Sequence, residues 1–275
     1  AIGIDALKVM VGDGVTNNQT TYNTAVGYGA GQAVTSGINN NLLGGLAGAG
    51  LTAGASNVAI GYAALSTEDD HGRNIAIGEL ALASQNAGVD AYNVAIGYNA
   101  GTSMLTGIRN IIIGAEAGDA LTTGDYNVAI GHEALSTEDA HGRNVAIGYR
   151  ALRDMDAGTD AYSVAIGYLA GENISTGTQN TLIGGLAGDG LTTGADNTAV
   201  GYAALSTENA HGRNTAIGKG ALNLLDAGTD AYNVAVGFNS GVAMTTGTRN
   251  VLVGGLAGDA LTTGGDNVAV GYGAL

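Results

Sequence analysis

The residues able to do acid–base or metal chemistry are few, and they recur at fixed intervals. His71, His141 and His211 lie 70 residues apart, each in the string His-Gly-Arg. Each closes a loop that opens Ser-Thr-Glu: the run Ser136 to Arg143 is copied at 66–73 and 206–213. Such a loop suits an Arg–carboxylate pair on a solvated surface. It also suits a contact between chains, with Arg143 reaching Glu138 or Asp139 of a neighbour and three His141 rings meeting on an axis around a metal. A second recurring set reads Asp154-Met155-Asp156-Ala157-Gly158-Thr159-Asp160, with copies carrying Asn86 and Asp90, and Asp226 and Asp230. Oxygen ligands alternating about a glycine bend suit Ca²⁺. The competing reading is a turn whose Asp or Asn side chain caps local N–H groups. Calcium is therefore the one cofactor the sequence suggests.

Other chemistry is absent from the pattern. His132-Glu133 has no second histidine at the spacing of a zinc protease, and the chain has no cysteine. No serine sits in a nucleophile elbow. No pair of carboxylates is marked out for glycan cleavage. Gly27-Tyr28-Gly29-Ala30-Gly31 has the look of a phosphate loop, but such spacing arises by chance in a glycine-rich repeat. The expectation is a protein without catalytic residues.

What must position these loops is a repeat. The string Asn-x-Ala-(Ile/Val)-Gly returns throughout the chain. Its glycine falls at Gly27, Gly44, Gly61, Gly78, Gly97, Gly114, Gly131, Gly148, Gly167, Gly184, Gly201, Gly218, Gly237, Gly254 and Gly271, in steps of 17, 17, 17 and 19 residues that cycle every 70. The superrepeats are 23–92, 93–162, 163–232 and a partial 233–275, forming one solenoid domain over 23–275. Residues 1–22 read as an irregular first turn around Gly3 with an insertion. Duplication of a 70-residue block explains the pattern.

Counting the motif Asn as position 0, position 3 is always a branched aliphatic residue, as in Ile60, Ile96, Ile130 and Ile166. That predicts a buried strand site. Position 4 is always glycine, which predicts positive φ or close backbone approach. Position 7 is Ala, with Ser240 the exception, so another segment packs tightly there. Apolar runs last four or five residues, which suits strands better than helices. Each turn reads as two short strands and two bends. One turn cannot bury its own aliphatic residue, but stacked turns can. Fifteen turns at the strand spacing of about 4.7–4.9 Å make a rod about 70 Å long. The row Asn93, Asn127, Asn197 and their equivalents suits an internal side-chain ladder, with Ser163 as its gap.

Composition agrees. Aromatic residues are only 5% and charged residues 12%, too few for an ordinary globular enzyme, while 45% hydrophobic content argues against disorder. Proline is absent, as strands paired on both sides require. The net charge of −15 repels phosphates and anionic lipid, so no nucleic acid partner is expected. No apolar run approaches a membrane span, so no membrane insertion is expected.

Asn93-Val94-Ala95-Ile96-Gly97-Tyr98-Asn99-Ala100 resembles the head repeat of YadA-type trimeric autotransporter adhesins. It also resembles the Asn-x-Ala-Ile-Gly-Tyr-x-Ala-Leu repeats of phage tail fibres, and the Tyr after Gly favours the second. The resemblance covers about residues 23–275, although the turns here are longer than the YadA type. It implies a left-handed parallel β-roll, a side-by-side homotrimer, and an extracellular role in attaching a virion or cell to a host, surface glycan or receptor. Tyr62, Tyr98 and Tyr202, with His141 and Arg143, are the interface candidates. The alternatives are a filament subunit assembling end to end, a glycan-cleaving tailspike, and an ice-binding solenoid using Thr122-Thr123 and its copies. Thr-Thr-Gly belongs to one turn type in four, which breaks a continuous threonine array.

Overall fold

The computed structural model describes residues 1–9 and 21–275. Much of the insertion read into residues 1–22 falls outside the described residues. The fold is all-β, a parallel β-solenoid with one three-residue strand per turn. The chain divides into two compact units, Ala1–Glu133 and Ala134–Leu275. The first carries β1 (Thr24–Val26), β2 (Asn41–Leu43), β3 (Val58–Ile60), β4 (Ile75–Ile77), β5 (Val94–Ile96), β6 (Ile111–Ile113) and β7 (Val128–Ile130). The second carries β8 (Val145–Ile147), β9 (Val164–Ile166), β10 (Thr181–Ile183), β11 (Thr198–Val200), β12 (Thr215–Ile217), β13 (Val234–Val236), β14 (Val251–Val253) and β15 (Val268–Val270). Within each unit, successive strands pair in parallel and in register, as in Ala95 opposite Ile112 and Ala165 opposite Leu182. Ile2 bridges to Val26, so the early turn at Gly3 stacks on the turn of β1. No helix among the described residues is long and apolar enough to cross a membrane.

Two expectations are corrected. Each turn has one strand rather than two; the rest is bends and left-handed residues. The aliphatic residue at position 3 is not the core. A three-residue strand alternates out, in, out, so positions 1 and 3 share a face and position 2 has the other. Position 2 points inward and is fully or nearly fully buried in every turn: Ala59, Ala95, Ala165, and the larger Leu42, Ile112, Leu182 and Leu252. Ile60 and Ile166 are each 36% exposed, and Ile96 and Ile130 are half-buried.

The interior is completed by positions 7, 8 and 11. Position 7 is a buried alanine, or Ser240, whose hydroxyl donates to the carbonyls of Leu252 and Ala257. Position 8 always has a left-handed backbone. It is filled either by glycine, as in Gly101 (φ 57°), or by leucine, buried except at Leu275, as in Leu82 (φ 49°) and Leu152 (φ 49°). The choice follows the neighbours. A Cβ on Gly171 would lie 2.7 Å from Leu182 Cδ1 and 3.0 Å from Leu152 Cδ2. The leucine of one turn thus fills the space that glycine leaves in the next, keeping the thin interior close-packed.

The motif glycine has the two features its invariance implied. Gly27, Gly61, Gly97, Gly131, Gly167, Gly201, Gly237 and Gly271 have φ between 128° and 146°. A Cβ on Gly97 would sit 2.4 Å from the carbonyl oxygen of Gly114, and one on Gly167 equally close to that of Gly184. The turns stack glycine backbone on glycine backbone, so no other residue fits.

Candidate functional site

The asparagine row forms a ladder. In the first unit, the N–H of Asn110 donates to Asn93 Oδ1 at 2.8 Å, and that of Asn127 to Asn110 Oδ1 at 2.8 Å. Nδ2 of the same residue closes its own turn: Asn93 donates to Gly107 O at 2.7 Å and Asn110 to Gly124 O at 2.8 Å. In the second unit, Asn197 N–H donates to Asn180 Oδ1 at 3.0 Å, and Asn197 Oδ1 accepts from Asn214 N–H at 3.1 Å. Ser163 keeps one rail of the ladder. Its N–H reaches Asn144 Oδ1 at 3.2 Å, and its hydroxyl accepts from Asn180 N–H at 3.3 Å. These side chains satisfy backbone groups in a buried corner, so their role is structural.

The Asp and Arg residues of the two loop types meet across one turn of the same chain. Asp160 Oδ1 accepts from Gly142 N–H at 3.0 Å, and its Oδ2 pairs with Arg143. Asp90 does the same with Gly72 N–H and Arg73, and Asp230 with Gly212 N–H and Arg213. Each guanidinium also lies over a tyrosine: Arg73 over Tyr92 at 5.4 Å, Arg143 over Tyr162 at 5.6 Å and Arg213 over Tyr232 at 5.5 Å. Hydrogen bonding to the tyrosine, then the nearby aspartate, raises the pKa of Arg73 and Arg213 above the usual arginine range. Within the chain Arg143 pairs with Asp160. Of the calcium candidates, the clasp engages Asp90, Asp160 and Asp230. Asp154 is likewise held by Arg153, at 2.7 and 2.9 Å. Asn86 donates its backbone N–H to Leu105 O. Among the described residues, Asp154, Asp156 and Asp160 form no group of three converging carboxylates.

Outside the strands stands an aromatic column at position 5. Tyr62, Tyr98 and Tyr202 are about half exposed. Tyr149 and Tyr168 stack with centroids 5.4 Å apart, and Lys219 lies between Tyr202 and Phe238 at 6.0 and 5.9 Å. Beside the column run the outward side chains of positions 1 and 3, aliphatic at every position 3 and at most of position 1, where Thr24, Asn41, Thr181, Thr198 and Thr215 are the exceptions. In each unit the result is an outward strand face rich in β-branched residues, with Glu79 and His132 in the first unit and Lys219 in the second as its charged or titratable members.

A third feature was only half legible. Glu138 is part of the recurring loop, but its counterparts Glu68 and Glu208 are equally significant: all three carboxylates are fully buried. They occupy position 11, which elsewhere is mostly apolar, as in Leu51, Met104, Leu121, Met155, Leu191 and Met244, with buried Gln85 as the neutral polar exception. Aligning the 17-residue turns would have exposed the anomaly, an acid in a leucine column. Burial raises the pKa of all three, and Glu208 reaches about 7, with Asp226 adding to the effect. A histidine faces each acid: Nδ1 of His141 lies 3.6 Å from Glu138 Oε1, and Nδ1 of His211 lies 3.7 Å from Glu208 Oε1. His141 also donates its backbone N–H to Glu138 at 3.1 Å. A further cluster, Glu116, His132 and Glu133, is more open.

Searches against family models, curated proteins and solved structures find no match for this chain. The geometry therefore carries the functional reading.

Proposed function

We propose that the chain is a structural fibre module, a repetitive β-solenoid that associates side by side with further copies and serves attachment at an extracellular surface. The observation that carries this is the outward strand face. Its outward Ile and Val side chains hold positions where a solvated sheet face carries polar residues, and apolar side chains grouped on an exposed face mark an interaction surface. Ile111 is 41% exposed and Tyr98 48%. Burying such a face contributes about 25 cal/mol per Å², which supplements an interior built largely of alanine. The similarity to trimeric adhesin heads and phage tail fibres makes a homotrimer the preferred assembly. It also makes a virion tail fibre or a bacterial surface fibre the setting. The role is mechanical, without catalysis, and glycan or receptor binding along the flank is consistent with the tyrosine column.

Sedimentation equilibrium tests the reading. The expected species is three times the 26.9 kDa chain mass. Replacing Ile96 and Ile111 by Lys should give a folded monomer. A wild-type chain that stays monomeric at high concentration would overturn the side-by-side model. Masses that grow without limit as concentration rises would favour the alternative, an end-to-end filament.

A further inference from the structure

We propose that the three Glu–His loops are binding sites for a divalent first-row transition ion, with zinc the reference case. The groups are Glu68, Asp69 and His71; Glu138, Asp139 and His141; and Glu208, His211 and Asp226, each with its ligand atoms within 4.8 Å of one another. Three observations carry the assignment, and it does not depend on the fibre reading.

The first is the orphaned polar atoms. Both carboxylate oxygens of Glu68, Oε1 of Glu208, and Nδ1 of His71 and His211 are buried without any hydrogen-bond partner. Leaving such groups unmet is costly. Replacing the glutamate by the leucine that neighbouring turns use would remove the cost, yet the acid recurs in every block.

The second is the spacing. At 3.7 Å, His211 Nδ1 and Glu208 Oε1 are too far apart for a hydrogen bond. Two ligands about 2.0–2.1 Å from one tetrahedral ion stand about 3.3 Å apart. A small inward movement would therefore seat an ion between them. Mixed imidazole and carboxylate donors suit zinc and its neighbours better than calcium, which takes oxygens alone.

The third is compensation between copies. The loop places aspartate at Asp69 and Asp139 but asparagine at Asn209; the following turn places Asn86, Asp156 and Asp226 at its own equivalent site. The block that loses the first acid has the second, and the block that lacks the second has the first. Every site thus retains a histidine, a buried glutamate and at least one aspartate. Nearby cations do not compete, because Arg213 is held by Asp230 and Asp196.

Calorimetric titration of the chelator-treated full chain with Zn²⁺ tests the proposal. The expected stoichiometry is three ions per chain, falling to two in Glu208→Gln or His211→Asn, with excess Ca²⁺ unable to displace them. Cobalt substitution of the unmodified chain should give the visible absorption of a nitrogen–oxygen site, which does not depend on any variant folding. No zinc uptake, displacement by calcium, or full stoichiometry in a chain lacking His71, His141 and His211 would each overturn it.

Discussion

Replacing Asn110 by Ala removes two short hydrogen bonds from a fully buried corner, besides longer contacts of its Nδ2 with Asn93 Oδ1 and Met104 Sδ. Asn127 N–H loses its acceptor and Gly124 O loses its side-chain donor, both at 2.8 Å, while the N–H of residue 110 still reaches Asn93. Each buried group left without a partner costs about 1–3 kcal/mol. The expected loss is therefore about 2–6 kcal/mol. Ser163 supplies an internal standard, because its hydroxyl still accepts the next turn's N–H at 3.3 Å but cannot reach as far as an amide. Asn110→Ser should then lose only the donor, at roughly half the cost of Ala. Conversely, Ser163→Asn restores a donor towards Gly177 O, as Asn180 has towards Gly194 O at 2.8 Å, and should stabilise the chain. Urea unfolding followed by far-ultraviolet circular dichroism measures all three, with an unchanged slope required for comparison. Asn110→Ala within about 0.5 kcal/mol of the parent, the range of ordinary surface substitutions, would refute the ladder's energetic role. So would a serine variant as damaging as alanine.

Gly97→Ala should cost several times more than Gly158→Ala. The first drives a Cβ into the Gly114 carbonyl, whereas the second meets nothing within 4 Å and bears only the left-handed penalty of about 1–2 kcal/mol; comparative thermal melting decides this. Burial raises the pKa of Asp119 and Asp189 above the ordinary aspartate value. Their ionisation therefore opposes folding: the fold is unpenalised below the ordinary pKa and loses stability as pH rises through the raised one. Asp189→Asn should accordingly stabilise at pH 7, with the gain vanishing towards pH 3; a gain independent of pH would refute the assignment. Calcium, added to the chelator-treated chain, should leave the melting temperature unchanged, because Asp90, Asp160 and Asp230 are held by arginine. A clear upward shift in a thermal scan would restore the calcium reading of the long turn.

The sequence by itself determined the period, the number of turns and the glycine at each strand end. Backbone repetition imposes these on the letters directly: Gly97 must be glycine because another backbone passes within its Cβ radius, and Asn93 recurs because every turn has the same N–H to satisfy. Which way a side chain points was decided only by the tertiary structure. In a strand of three residues, Ile96 and Val94 share one face and Ala95 the other, and branched aliphatics at the outer positions mimic a core. Only the closed coil shows that the interior has room for alanine, with leucine admitted where a neighbour is glycine. The same is true of the acids. Glu208 and Asp226 are 18 residues apart in the chain, and Arg213 and Asp230 are 17 apart. One turn of the solenoid sets each pair side by side, clasping the second and leaving buried Glu208 and exposed Asp226 facing His211. Adjacency across turns depends on how the coil closes, and so appears only when the chain is wound.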